Sequence, residues 1–189
     1  MKLFIKNMVC DRCVMAVRSE LDALGLHPEH IELGVAHLPG EVLPEEQYGA
    51  LEARLGAIGF ELLDDAKHKL AEQIKVAVIG LIHRAAGNSH VKHSEYLAQQ
   101  TGKDYPYLSK IFSAEEGLTI EQYIIRQKTE RIKELLTYGE LSLGEIAWQM
   151  GYSSVAAISA QFKKVTGLTP SQYKATDDKA RKTLDAVGK

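Results

Sequence analysis

The sequence predicts a small α+β unit followed by an all-α unit, and three observations carry that prediction. Strand-like alternation is confined to residues 1–65. Helical periodicity fills most of the chain after them, and one helical block occurs twice, about 50 residues apart. At 189 residues and 45% hydrophobic content, the chain can bury one or two small cores.

Residues 1–6 alternate as a strand, with Leu3 and Ile5 on one face and Phe4 on the other. A loop holding Cys10 and Cys13 follows. Val14, Val17, Leu21 and Leu24 then recur at helical spacing until Gly25, and residues 30–38 form a second extended segment. Pro39-Gly40 makes a turn, with one more short strand expected near residues 41–43. A second helix covers residues 45–57 on Tyr48, Leu51 and Leu55, and Gly59 releases a last strand over residues 60–63. That order gives helices on one face of an antiparallel sheet.

The second unit, residues 66–175, opens with a long helix over 66–86 that Gly87-Asn88-Ser89 breaks. A first helix-turn-helix is predicted at 94–116, a linking helix at 119–138 and a second helix-turn-helix at 142–166. Two capping boxes, Thr119 with Gln122 and Ser142 with Glu145, mark helix starts. Gly151 stops one helix, Tyr152 and Ser153 turn the chain, and Val155, Ile158, Phe162 and Val165 supply an apolar face until Gly167. Residues 176–189 are polar and without period, and are expected to lack structure.

The repeat is visible residue by residue. At an offset of 50, Leu108, Ser109, Phe112, Gly117, Leu118, Thr119, Gln122 and Tyr123 pair with Ile158, Ser159, Phe162, Gly167, Leu168, Thr169, Gln172 and Tyr173. Upstream of the turn the offset is 49, pairing Leu97, Ala98 and Gly102 with Ile146, Ala147 and Gly151. The chain carries the unit twice.

The net charge of -2 hides an asymmetry. Residues 1–66 hold 5 Lys and Arg against 12 Asp and Glu, a balance of -7, whereas residues 67–189 hold 18 against 13, a balance of +5. An acidic head precedes a basic body. Without a run of eighteen apolar residues or a secretory leader, the chain is expected to be soluble and cytoplasmic, with no membrane partner. Cys10 and Cys13 are the two cysteines, so no disulfide framework is expected, and their spacing points to metal or redox chemistry. No set of carboxylates, serine with histidine, or phosphate-binding glycines suggests an enzyme. His83, His90 and His93 lack metal-pairing spacing and read as ordinary surface or core residues.

Glu145-Ile146-Ala147, Gly151-Tyr152-Ser153, Phe162-Lys163-Lys164 and the run from Thr166-Gly167-Leu168 through Thr169-Pro170-Ser171-Gln172-Tyr173 resemble the second helix-turn-helix of the AraC/XylS family of transcription regulators. Through Arg131, Leu135 and Leu136 the resemblance reaches back to the first copy and covers about residues 70–175. It implies two helix-turn-helix subdomains on one linking helix, each placing a helix in a major groove about one helical turn apart. The implied partners are double-stranded DNA, a second copy of the chain and RNA polymerase. The DNA-contact candidates are Lys103, Tyr105, Tyr107 and Lys110 in the first copy. In the second they are Ser153, Ser154, Ala157, Ala160, Gln161, Lys163 and Lys164. Ala157, Ile158 and Ala160 stand where the family carries aromatic pairs and an arginine, so the bidentate guanine contact of an arginine is absent there. Glu115 and Glu116 occupy a normally basic end and should repel phosphate. Tyr105 and Tyr107 can alternatively be packing residues, Tyr107 more so, and Lys163 and Lys164 a solvated face. Lys128 and Arg131 lean toward solvation or packing.

Asn7-Met8-Val9-Cys10-Asp11-Arg12-Cys13 and Ile58-Gly59-Phe60 are similar to heavy-metal-associated domains, which implies a ferredoxin-like βαββαβ fold over residues 1–65. The resemblance implies that Cys10 and Cys13 bind a soft ion, Cu(I) or Zn²⁺, as thiolates; a helix N-terminus and Arg12 favour the thiolate form. Asn7 and Val9 replace the usual Gly and Thr. Three functions follow: a DNA-binding regulator whose head senses metal or redox state or dimerises, a metal-handling protein whose helical body binds a protein partner, and a thiol-disulfide oxidoreductase. The repeated helix-turn-helix favours the first.

Overall fold

Leu3 and Ile5 are buried on one side of β1 (Lys2–Lys6), and this alternation organises the first of two units, Met1–Val76 and Ala77–Lys189, in the computed structural model. The structure describes residues 1–40, 42–64, 66–84, 92–176 and 181–187. β1 lies inside a four-stranded antiparallel sheet of order β2-β3-β1-β4, with β2 at His30–Glu32, β3 at Val35–His37 and β4 at Glu61–Leu63. Helices α1 (Asp11–Ala23) and α2 (Glu45–Ala57) bury Val17, Leu21, Leu51 and Leu55 with Leu3, Ile5, Ile31 and Ala36 in one core.

Two features differ from the sequence reading. The segment 30–38 is a hairpin rather than one strand, because Gly34 takes φ +80° and turns the chain between β2 and β3. Val42 and Leu43 belong to no strand, and Glu41 lies outside the described residues. The second difference is α3 (Ala66–Ile79), whose first turns belong to this unit and meet the other side of the sheet. Lys69 Nζ lies 5.2 Å from the Phe4 ring centroid, and Glu72 Oε1 accepts the Asn7 backbone N–H at 2.9 Å. The contact division at Val76 therefore falls inside a helix, where composition gives no boundary signal.

The second unit contains the end of α3, a π-helical turn (Gly80–Arg84), and helices α4 (His93–Thr101), α5 (Tyr105–Glu116), α6 (Ile120–Tyr138), α7 (Leu143–Gln149), α8 (Val155–Thr166) and α9 (Pro170–Ala175). The expected break at residues 87–89, and His90, lie outside the described residues. The repeat has a structural meaning. After α5, Gly117 at φ +69° ends the helix, and Thr119 and Gln122 close a capping box on α6. After α8, Gly167 at φ +80° and the Thr169–Gln172 box do the same for α9. Each turn delivers a tyrosine onto a phenylalanine: Phe112 and Tyr123 have ring centroids 5.5 Å apart, Phe162 and Tyr173 5.6 Å apart.

A row of polar side chains on α6 is buried. Gln127 Nε2 donates to the Tyr123 hydroxyl at 2.9 Å and to the Leu184 carbonyl at 3.1 Å, while Gln127 Oε1 lies 3.1 Å from His83 Nε2 of the π-helical turn. Glu130 accepts from Lys133 Nζ at 2.8 Å and from the Lys182 backbone N–H at 3.0 Å. Residues 181–187 thus lie against α6, where the sequence predicts no structure; the contacts combine backbone groups of the tail with two isolated side chains, Arg181 and Val187, and leave no periodic signature.

Burial pushes the His83 pKa below its ordinary value, outweighing the hydrogen bond that its ring N–H donates to Gln127 Oε1. A depressed histidine pKa means the unfolded chain binds the extra proton first. Stability from neutral His83 is therefore complete above about pH 6.5 and is lost as pH falls through that value toward the folded pKa. The denaturation midpoint of the second unit should fall over this range, and His83→Gln should flatten the fall. An unchanged pH profile in the variant would remove His83 from the account.

Candidate nucleic-acid interface

The N-terminus of α8 is set by Ser154, whose hydroxyl oxygen accepts the Ala157 backbone N–H at 3.1 Å. Ile158 and Phe162 point into the core with Ile146 and Ala147 of α7 and with Met150 at its C-cap. The opposite surface is thereby fixed. Ser153, Ser154, Ala160, Lys163 and Lys164 are exposed, and Ala157 and Gln161 are half-buried along its margin. The two lysines occupy the last turn, where the helix dipole favours cations.

The linking helix holds the α7–α8 turn in place. Lys128 Nζ donates to the Met150 carbonyl at 2.8 Å and lies 5.5 Å from the centroid of the Tyr152 ring. Burial lowers the Lys128 pKa and raises that of Tyr152. Of the two alternatives for Lys128, solvation and packing, the structure shows packing. Arg131 likewise binds Glu134 at 2.5 Å on the same helix.

In the first copy, Asp104 caps α5 by accepting the Tyr107 backbone N–H at 3.2 Å. Lys103 and Lys110 are exposed, as is Tyr107 at 45%. Tyr105 differs. Its hydroxyl donates to Glu121 Oε1 of α6 at 2.5 Å. Burial and this carboxylate push the phenol pKa up, and the same bond holds the Glu121 carboxyl below its ordinary value. The structure thus joins Tyr105 to the linking helix and leaves Tyr107 outward, the reverse of the order expected from their distance to the helix start. Glu115 and Glu116 are half-buried at the far end of α5.

Both copies meet at α6. A cleft of about 480 Å³ is lined by Tyr105 from α5, Glu121 and Lys128 from α6, Tyr152 from the turn and Gln161 from α8. The sequence gives no sign of this convergence. Nor does it single out Trp148, which lies off the buried phase of α7 and is 65% exposed.

In the N-terminal unit, Cys10 N-caps α1 and its Sγ lies 3.5 Å from Cys13 Sγ. Burial pushes the Cys10 thiol up, but the Cys13 backbone and thiol hydrogen bonds and the Arg12 amide and guanidinium outweigh it, so its pKa is lowered. Burial dominates at Cys13, whose pKa is raised. The surroundings thus favour the thiolate form at Cys10 and the thiol form at Cys13. Among the described residues, no group of three or more His, Cys, Asp and Glu side chains is arranged to hold a metal ion. None of the described helices is long and apolar enough to cross a membrane.

Residues 97–176 match the family model described as a helix-turn-helix domain. The Msm operon regulatory protein of Streptococcus mutans is 32% identical over 90 residues, 43% of this chain and 32% of that protein. The probable transcriptional regulator LumQ of Photobacterium leiognathi is 29% identical over 63 residues, 33% of this chain and 25% of that protein. The C-terminal domain of AraT, a response regulator from Geobacillus stearothermophilus, aligns with 25% identity and a TM-score of 0.47 over 64% of this chain and 90% of that one. The chain spans a third or less of the curated relatives it matches.

The two tyrosines should separate by experiment. Tyr105→Phe removes the bond to Glu121 and should cost about 1 kcal/mol of stability in denaturant unfolding. Tyr107→Ala, at an exposed position, should leave stability within about 0.5 kcal/mol. Equal losses would show that Tyr105 is not a packing residue in this sense.

Proposed function

We propose that this chain is a sequence-specific transcription regulator of the AraC/XylS type, reading duplex DNA with α5 and α8. The observation that carries this reading is the doubled arrangement in one unit. Two exposed helices are each locked from behind by a glycine stop, a threonine capping box and a Phe–Tyr contact. A single partner surface needs no such duplication, whereas successive major grooves present the same geometry twice. The helix-turn-helix match over residues 97–176 and the regulators among the relatives support it.

The two helices divide the work unequally. Lys110 and Tyr107 offer donors from α5, and Lys103 stands beside its start. From α8, Ser153, Ser154 and Gln161 offer hydrogen bonds, Ala157 and Ala160 fit thymine methyl groups, and Lys163 and Lys164 reach phosphate. Changing Lys163 and Lys164 to Ala should weaken binding on all duplexes and flatten the log–log salt slope by about one to two units. Unaltered binding at every salt concentration would refute the phosphate role.

The N-terminal unit acts in this reading as a heavy-metal-associated-like head that senses a soft ion or dimerises. The strand order β2-β3-β1-β4, with α1 and α2 packed on one face, supports a ferredoxin-like reading of this unit. The thiol pair suits a metal: a 3.5 Å Sγ–Sγ separation is near the roughly 3.8 Å edge of a tetrahedral site with Zn–S of about 2.3 Å. Cys10 and Cys13 would supply two thiolates to Cu(I) or Zn²⁺, and a second copy of the chain could complete the set and bring two DNA-binding units together. Adding Zn²⁺ or Cu(I) to the reduced protein should raise its mass in light scattering and its DNA affinity. Both responses should vanish in the Cys10→Ser, Cys13→Ser variant; identical behaviour of the two proteins would leave the pair no sensing role.

A further inference from the structure

The C-terminal segment lies outside the helix-turn-helix repeat, yet it is tied to α6 at several points. Arg181 Nη2 lies 3.4 Å from Glu134 Oε1, the Lys182 and Leu184 backbones bond Glu130 and Gln127, and Val187 is 4% exposed. Gln127 and Glu130 are 0% and 6% exposed, so the tail satisfies part of what would otherwise be a costly pair of buried polar groups. Its docking is built into the core of the second unit.

Docking has a consequence for charge. A cleft of about 730 Å³ is bounded by α6, α8, α9 and the tail, and three elements contribute exposed cations to it: Arg126 from α6, Lys164 from α8 and Lys182 from the tail. Among the described residues its lining carries one carboxylate, Glu130, which Lys133 and the Lys182 N–H engage. Gln161 lines the same cleft, so it adjoins the outward surface of α8. A site for a small organic anion would present a buried, uncommitted cation; the half-buried one here, Lys133, is paired with Glu130. Exposed cations on the rim suit a phosphate backbone that stays solvated.

We infer that residues 181–187 form a third DNA contact: the docked tail carries Lys182 alongside α8, and Arg126, Lys164 and Lys182 together grip the phosphates flanking the groove that α8 enters. This rests on the DNA-binding reading above. The contact is sequence-independent, so it adds affinity and register without adding base preference.

The test uses the full chain and a duplex selected from a random pool, with anisotropy followed across a salt series. Lys182→Ala keeps the backbone docking and should flatten the slope by about one unit. Val187→Asp, which expels the tail, should cause at least the same loss, and adding Lys182→Ala to it should change the slope no further. Circular dichroism checks that the helices remain. Parent slopes in both single variants, with the parent binding the duplex, would overturn the tail contact alone. A parent that shows no salt-dependent binding would overturn the DNA-binding reading and the tail contact with it.

Discussion

The contact between a phenylalanine on one helix and a tyrosine on the next, made once by Phe112 and Tyr123 and again by Phe162 and Tyr173, is what the second unit depends on. All four rings are buried, and truncating such a residue typically costs about 3–5 kcal/mol. The glycine and the capping box fix the approach angle of the following helix, and the ring pair fixes the depth. What remains exposed on α5 and α8 is therefore determined from the inside. Ile158 and Phe162 pack into the core with Tyr173, which leaves Ala160, Lys163 and Lys164 exposed.

The linking helix adds a second level of constraint. It caps one copy, carries the tyrosine of that copy, and reaches the other through Lys128, which holds the Met150 carbonyl at the end of α7. Tyr105 ties α5 to the same helix through Glu121. Its buried polar row then collects the π-helical turn through His83 and the tail through Glu130 and Gln127. Such networks are costly when half-satisfied, so each of these segments stabilises the others' placement.

Most of this fold was legible because its signals are local. Capping boxes, glycine stops and apolar periodicity located the helices from α4 to α8 to within a residue or two; α9, which the Thr169–Gln172 box starts, was not among the expected elements although Thr169 and Gln172 repeat Thr119 and Gln122. The misread places are one glycine turn and the segments placed by tertiary contacts. Gly34 turns a segment that reads as one strand, and the start of α3 meets the sheet near Phe4 although its sequence belongs to a helical run. At the candidate interface, Lys103, Lys110, Ser153, Lys163 and Lys164, which the family resemblance singles out, are exposed. Tyr105 did not, since a carboxylate sixteen positions away, on a different helix, decides where its hydroxyl goes. Lys182 was invisible for the same reason: its place comes from a backbone bond to Glu130.

The central claim is that two locked helices read one duplex together. Hydroxyl-radical footprinting of the full chain on a selected site measures this directly. The account predicts two protected patches on one face of the duplex, their centres about 10 base pairs apart, as two helices in successive major grooves require. A single patch, or two patches on opposite faces, would contradict it.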